Sequence, residues 1–231
     1  MFDTSRSLTN PVLGVDACKS GWIGIRLGET MTAHVAENIS DLIEFVDEVS
    51  VIAIDIPIGL AETDHRQADL HTREFLRHRR SSLFMTPVRA AVAAPDHETA
   101  NAINQRITGS GISRQAFGLC EKILQVDRWL PSAPCPVIEV HPETSFAELA
   151  GGPLDERKKT WAGAERRRAL LAVADILPSG ALGLRGVDVG VDDVLDAAVA
   201  AWTARRFLTG DAIPLPSPPE RIGDRDVAIW R

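Results

Sequence analysis

The 231-residue chain is 45% hydrophobic and 25% charged, the balance of a soluble protein with one well-buried core. A net charge of −7 argues against an extended nucleic-acid-binding face, so any grip on phosphates has to come from a local basic patch. No apolar run approaches the ~20 residues of a membrane span; residues 1–10 lack a signal-peptide core, and Cys18, Cys120 and Cys135 form no CxxC pair, so a reduced, cytoplasmic protein without membrane association is expected.

Residues 1–11 are expected to be a flexible N-terminus ahead of a single domain over 12–231. Runs at 12–17, 21–28 and 31–37, parted by ACKSG and GET, predict a three-strand antiparallel meander. In NISDLIEFVDEV, Ser40 as N-cap and a stripe of Leu42, Ile43, Phe45 and Val46 predict a helix. VIAIDIP at 51–57 has the near-continuous β-branched character of a strand covered on both faces. The segment at about 60–135 has no clear strand and is expected as a helical insertion, with helices over 61–80 and 113–130. A core strand, PVIEVHP, is predicted at 136–142, then helices over 144–150, 161–177 and 192–208. The proline-rich tail ends in DVAIWR, expected at a sheet edge. The fold class is therefore α/β. Three antiparallel strands followed by parallel strands, flanked by helices and carrying an inserted helical lobe, is the RNase H-like layout.

Acidic residues interrupt or end these apolar runs, where an unpaired carboxylate is normally excluded. Asp16 follows Val12 and Gly14 on one face of the first strand; its alternative role is to open the turn ACKSG. Asp55 has large apolar neighbours on both sides, and its alternative is to cap the bend at Pro57-Ile58-Gly59. If the strand at 136–142 continues, Glu139, His141 and Glu143 face one side, with Glu139 central. Asp193 and Asp196, at i and i+3, share a helix face continued by Ala200 and Ala204, whose small size lets the helix approach the sheet. Asp192 or Asp193 could equally be an N-cap.

Two carboxylates ~5 Å apart at an effective dielectric of ~20 repel by roughly 3 kcal/mol, about two pKa units. Several converging acids would therefore partly protonate unless a cation joins them. An all-oxygen ligand set favours Mg²⁺ or Mn²⁺, held by Asp16, Asp55, Glu139, Asp193 and Asp196, and with it hydrolysis of a phosphodiester. Arg66, Arg73, Arg77 and Arg80 would form a narrow stripe if 61–80 is one helix; the alternative is a solvated face. Arg166-Arg167-Arg168 is expected to be surface charge.

GVDACKSGWIG, AIDIPIGL, RRSSLFMTPVRAAV, SRQAFGLCEKILQVD, EVHPETSFAELAGGPL and DDVLDAAVAAWTARR resemble, in that order, the family of predicted RNase H-like nucleases, domain of unknown function 429. The resemblance runs from about residue 12 to the C-terminus. It implies an RNase H-like fold and metal-dependent nuclease activity, with the family's acidic positions on Asp16, Asp55, Glu139 and the Asp193/Asp196 segment. Its RRSS and PxR signature falls on Arg79, Arg80, Ser81, Ser82 and Arg89, and a helix signature on Lys122, Ile123, Val126 and Asp127, with Gln125 where the pattern has glutamate. Arg79, Arg80, Arg89, Lys122, His141, Glu143 and Lys158 are the expected substrate contacts. The expected partner is a nucleic acid or a nucleotide. The alternatives are a hydrolase of a small phosphorylated substrate and a non-catalytic scaffold that keeps the fold.

Overall fold

The alternation over residues 12–36 becomes a meander in the computed structural model, which describes residues 10–231. Strands β1 (Val12–Cys18), β2 (Gly21–Leu27) and β3 (Met31–Ala36) pair antiparallel in sequence order. The expected flexible segment at 1–11 lies outside the described residues except for Asn10 and Pro11, and the Pro11 carbonyl accepts the Ser50 N–H at 2.8 Å. Helix α1 (Ile39–Phe45) follows, capped differently from expectation. Its N-cap is Asn38, Ser40 lies inside the helix, and the Ile39 N–H donates to Oε1 of Gln125 at 3.1 Å. Gln125 thus does structural work at the start of α1.

Strand β4 (Ile52–Ile54) runs parallel to β1, and β5 (Val137–Val140) runs parallel to β4. Between them lie α2 (Gln67–Leu76), α3 (Arg89–Val92), α4 (His97–Thr108), α5 (Arg114–Phe117) and α6 (Cys120–Trp129). After β5 come α7 (Pro142–Ala150), α8 (Trp161–Val173), α9 (Val191–Thr209), β6 (Pro214–Ile222) and β7 (Arg225–Trp230). The seven-stranded sheet has the order β3-β2-β1-β4-β5-β7-β6, antiparallel at both ends and parallel in the middle.

Several boundaries differ from the sequence expectations. The helix predicted over 61–80 is only α2, because Arg77 turns the backbone at φ 50° and a 3₁₀ segment occupies 77–82. That break dissolves the arginine stripe. The 113–130 helix is divided into α5 and α6, and α4 was not anticipated. Strand β5 stops at Val140 because Pro142 takes the first position of α7, where a missing N–H costs nothing. DVAIWR is an interior strand, and the proline-rich segment before it is the edge strand β6. Prolines are tolerated there because one side of an edge strand needs no ladder partner.

Alternation along β1 fixes the layers. Leu13 and Val15 face Leu42 of α1 and Ile123 and Val126 of α6. Val12 faces Ala200, Ala201 and Ala204 of α9 on the opposite side. Gly14 makes that second contact possible, since a Cβ there would lie 2.1 Å from both the Ala197 carbonyl and the Ala201 nitrogen. Helix α9 therefore rests directly on β1, and its first turns are carried to the strand's carboxyl end. Among the described residues no helix is long and apolar enough to cross a membrane.

A carboxylate-lined cleft as candidate active site

The carboxyl ends of β1, β4 and β5 lie side by side, the place where parallel α/β sheets bind ligands. Asp16 sits near the end of β1, only 5% exposed. Asp55 is the first residue past β4, and its N–H donates to the Val15 carbonyl at 2.9 Å, which seats it beside Asp16. The close packing of α9 on Gly14 supplies Asp196, 1% exposed. These three, with Asp193, Glu139, His141 and Glu143, line a cleft of about 580 Å³.

The electrostatics of this cleft are unbalanced. Burial, then the neighbouring Asp55 and Asp196, hold the Asp16 carboxyl well above the usual carboxylate range. Burial and then Asp196 push Asp55 up to about 8. Asp196 rises to about 6 through burial, against the pull of Lys158. Lys158 donates to Oδ2 of Asp196 at 2.6 Å; burial works against its charge, but Asp196, Asp16 and Asp55 together keep it protonated. The other Asp196 oxygen, Oδ1, is buried without a hydrogen-bond partner among the described residues. Buried Asp16 and Asp196 and half-buried Asp55 thus share one ammonium.

Glu139 departs from the metal-ligand role expected of it. Nη1 of Arg66 donates to its Oε2 at 2.8 Å and Nη2 to its Oε1 at 2.7 Å, while the Ile58 N–H reaches Oε2 at 2.7 Å. Arg66 also binds Asp69 at 2.5 Å, and Asp69 accepts the Thr86 N–H at 2.8 Å. Both oxygens of Glu139 are therefore spent on a buried ion pair. Asp193 lines the cleft, yet its Oδ2 accepts the Gly190 N–H at 3.2 Å and so braces the start of α9. Glu143 is engaged as well: Arg167, fully buried and not the surface charge expected, donates to it at 2.6 Å, and Arg79 stands 3.9 Å from its other oxygen. His141 takes the N-cap position of α7, off the strand that was to align it with Glu139 and Glu143. Burial lowers its ring to about 4, so it is neutral at physiological pH, and its Nδ1 is buried without a partner.

The basic residues separate into two groups. Arg79 and Lys158 line the cleft, joined by Arg157 and Lys159. Arg80 is exposed and does not line it. Arg89 is held by Asp127 at 2.7 Å and Glu62 at 3.2 Å, and Lys122 donates to the Gly21 carbonyl at 2.6 Å under the Trp22 ring, so neither reaches the cleft. Both are corrected to structural ties. Sequence reasoning missed Arg66 and Arg167 as buried ion-pair partners and Gln115 as a cleft residue. Only the i, i+3 spacing of Arg66 and Asp69 carried a local signal.

The donor set is all oxygen at its centre, with one orphaned buried carboxylate oxygen, as a hard divalent cation would require. Among the described residues, however, no group of three or more His, Cys, Asp or Glu side chains is placed so that it could hold a metal ion.

A family model described as "Protein of unknown function (DUF429)" matches residues 14–221. No curated protein and no solved structure matches the chain.

Proposed function

The chain belongs to the DUF429 family, and from that premise we propose that it is a Mg²⁺- or Mn²⁺-dependent hydrolase of phosphodiesters, a nuclease of RNase H-like fold. The observation that carries this is the set of three carboxyls, buried Asp16 and Asp196 and half-buried Asp55, facing a cleft with Lys158 as their only close ammonium among the described residues. Such a set is costly to keep charged without a cation. The strand order, with three antiparallel strands followed by parallel β4 and β5, supports the RNase H-like reading. Three unpaired thiols support placing the protein in the cytoplasm.

Asp16, Asp55 and Asp196 would hold the ion; Glu139 stays with Arg66, and Asp193 braces the helix that carries Asp196. When bound, the ion supplies charge neutralisation and Lewis acidity at the phosphate. Lys158, already on Asp196, offsets the remaining negative charge. Arg79 reaches the cleft from the 3₁₀ segment and is the phosphate-positioning group. The neutral His141 ring lines the cleft with its Nδ1 buried and, among the described residues, without a hydrogen-bond partner. A second reading, a small phosphorylated substrate such as a nucleotide, is favoured by the cleft volume of about 580 Å³, which is the size of a small-ligand site.

Mn²⁺-dependent cleavage of single- and double-stranded DNA, RNA, hybrids, branched junctions and nucleotides tests this, with Asp16→Asn and Asp55→Asn beside the native protein. Cleavage by the native protein alone is expected. Metal binding with turnover of nucleotides only would select the second reading, and absence of both metal binding and cleavage would leave a scaffold.

A further inference from the structure

Trp161 is 80% exposed at the first position of α8, where it contributes almost nothing to the core. It follows directly on the segment whose Arg157, Lys158 and Lys159 form one wall of the cleft. The turn that presents it is firmly anchored. The Thr160 hydroxyl donates to the Arg157 carbonyl at 2.8 Å and accepts the Gly163 N–H at 3.1 Å. A Cβ at position 163 would fall 1.9 Å from the Arg157 carbonyl, so only glycine lets the turn close onto the helix. Buried Arg167 then ties both sides together, donating to the Glu156 and Gly163 carbonyls at 3.1 Å each. An exposed indole at a fixed position, two residues after the last of three cations in sequence, is not explained by folding, because leaving it in water forgoes the burial that stabilises most tryptophans.

We infer that Trp161 is a stacking platform for a nucleobase, and that the substrate is a single-stranded nucleic acid. Its backbone would run along Arg157 and Lys159 into the cleft, with a flanking base lying on the indole. Single-strand sites combine a basic track with aromatic faces in this way, and stacking tolerates any base. The basic wall is local, which reconciles phosphate binding with an overall charge of −7; Asp192 stands 4.0 Å from Lys158 and 3.9 Å from Lys159, so Arg157 is its one cation without an acid partner among the described residues. The one acid a turn further along α8, Glu165, is already bridged to Arg168 at 3.7 Å. This assignment rests on the phosphodiester-hydrolase reading of the cleft and narrows its substrate.

The test is equilibrium binding, in EDTA so that no cleavage occurs, of a short fluorescent oligothymidine and of an abasic strand of equal length and charge. The native protein is expected to prefer the base-bearing strand. Trp161→Ala should abolish that preference, weakening oligothymidine binding by about ten-fold, while Trp161→Phe retains most of it. An unchanged melting temperature will show that the exposed substitution leaves the fold intact. Equal binding by Trp161→Ala, or no preference for bases in the native protein, overturns the assignment. If metal-dependent cleavage is present while Trp161→Ala binds normally, only this inference fails. If base-dependent binding through Trp161 is present without any metal-dependent cleavage, the stacking site stands and the hydrolase reading fails.

Discussion

Arg66 is 1% exposed and binds Glu139 through two nitrogens, Asp69 through one of them, and the Ile58 carbonyl. Removing one member of a buried ion pair leaves an uncompensated charge, and Arg66→Met should therefore cost about 3–5 kcal/mol in urea-unfolding free energy. The double variant Arg66→Met/Glu139→Leu should recover part of that loss although it deletes more contacts; a double variant less stable than the single would show that Glu139 is not held chiefly by Arg66. Asp55 calls for the opposite expectation. It is held near 8 by burial and by Asp196, with no cation bonded to it, so Asp55→Asn should leave the metal-free protein as stable as the native one or more so. The same variant should lose the upward shift in melting temperature that millimolar Mn²⁺ is expected to give the native protein, a shift worth about 2.7 kcal/mol at a hundred-fold excess over Kd. The carboxylates stood out in the sequence because they interrupt β-branched runs. Their division of labour did not, since it depends on Arg66 reaching Glu139 across 73 positions and Arg167 reaching Glu143 across 24.

Helix α9 is the element that assembles the cleft, and one glycine sets its height above the sheet. Any side chain at position 14 would collide with the backbone of α9 at 2.1 Å, and backbone cannot rotate out of the way. Gly14→Ala should therefore cost at least about 3 kcal/mol, the upper range for overpacking. Because the forced separation moves Asp196 away from Asp16, any folded Gly14→Ala protein should bind Mn²⁺ more weakly in calorimetry, while an Ala substitution at the exposed Val191 of the same helix leaves both stability and binding unchanged. Elements with strong periodicity, such as the meander over 12–36 and the alanine-rich α9, could be anticipated from pattern alone. Two kinds of element could not. Strand β6 is hidden by prolines that an edge strand tolerates, and α4 by a polar surface whose buried Ala100 packs only within the small inserted cluster that holds Val88 and Ala91. The break after α2 was equally invisible, because Arg77 at φ 50° has no local signature of the kind glycine provides.

For the molecule as a whole, the cleft makes stability depend on pH in a direction opposite to that of most proteins with paired carboxylates. Asp55 lies near 3.8 when unfolded and near 8 when folded; Asp16 is raised too, and Asp196 reaches about 6. Between those limits the three carboxyls together bind more protons folded than unfolded, which outweighs the single proton that His141, lowered from 6.5 to about 4, gives up on folding, so unfolding releases protons and stability falls as pH rises. The contribution of these groups is complete below the unfolded value and is lost as pH climbs through the folded one, from about 4 to about 8. On the proposed function a divalent cation would replace the protons, and its competition with them would make its stabilisation grow with pH. Melting temperatures recorded in EDTA should therefore decline across this window, while the increment from added Mg²⁺ or Mn²⁺ widens toward pH 8. Asp55→Asn should flatten both trends. A metal-free protein whose stability rises steadily from pH 5 to 8 would mean that the three carboxyls are charged and compensated some other way. The case for a cation at their centre would then be lost, leaving the cleft, its basic wall and Trp161 as a binding surface without hydrolytic chemistry.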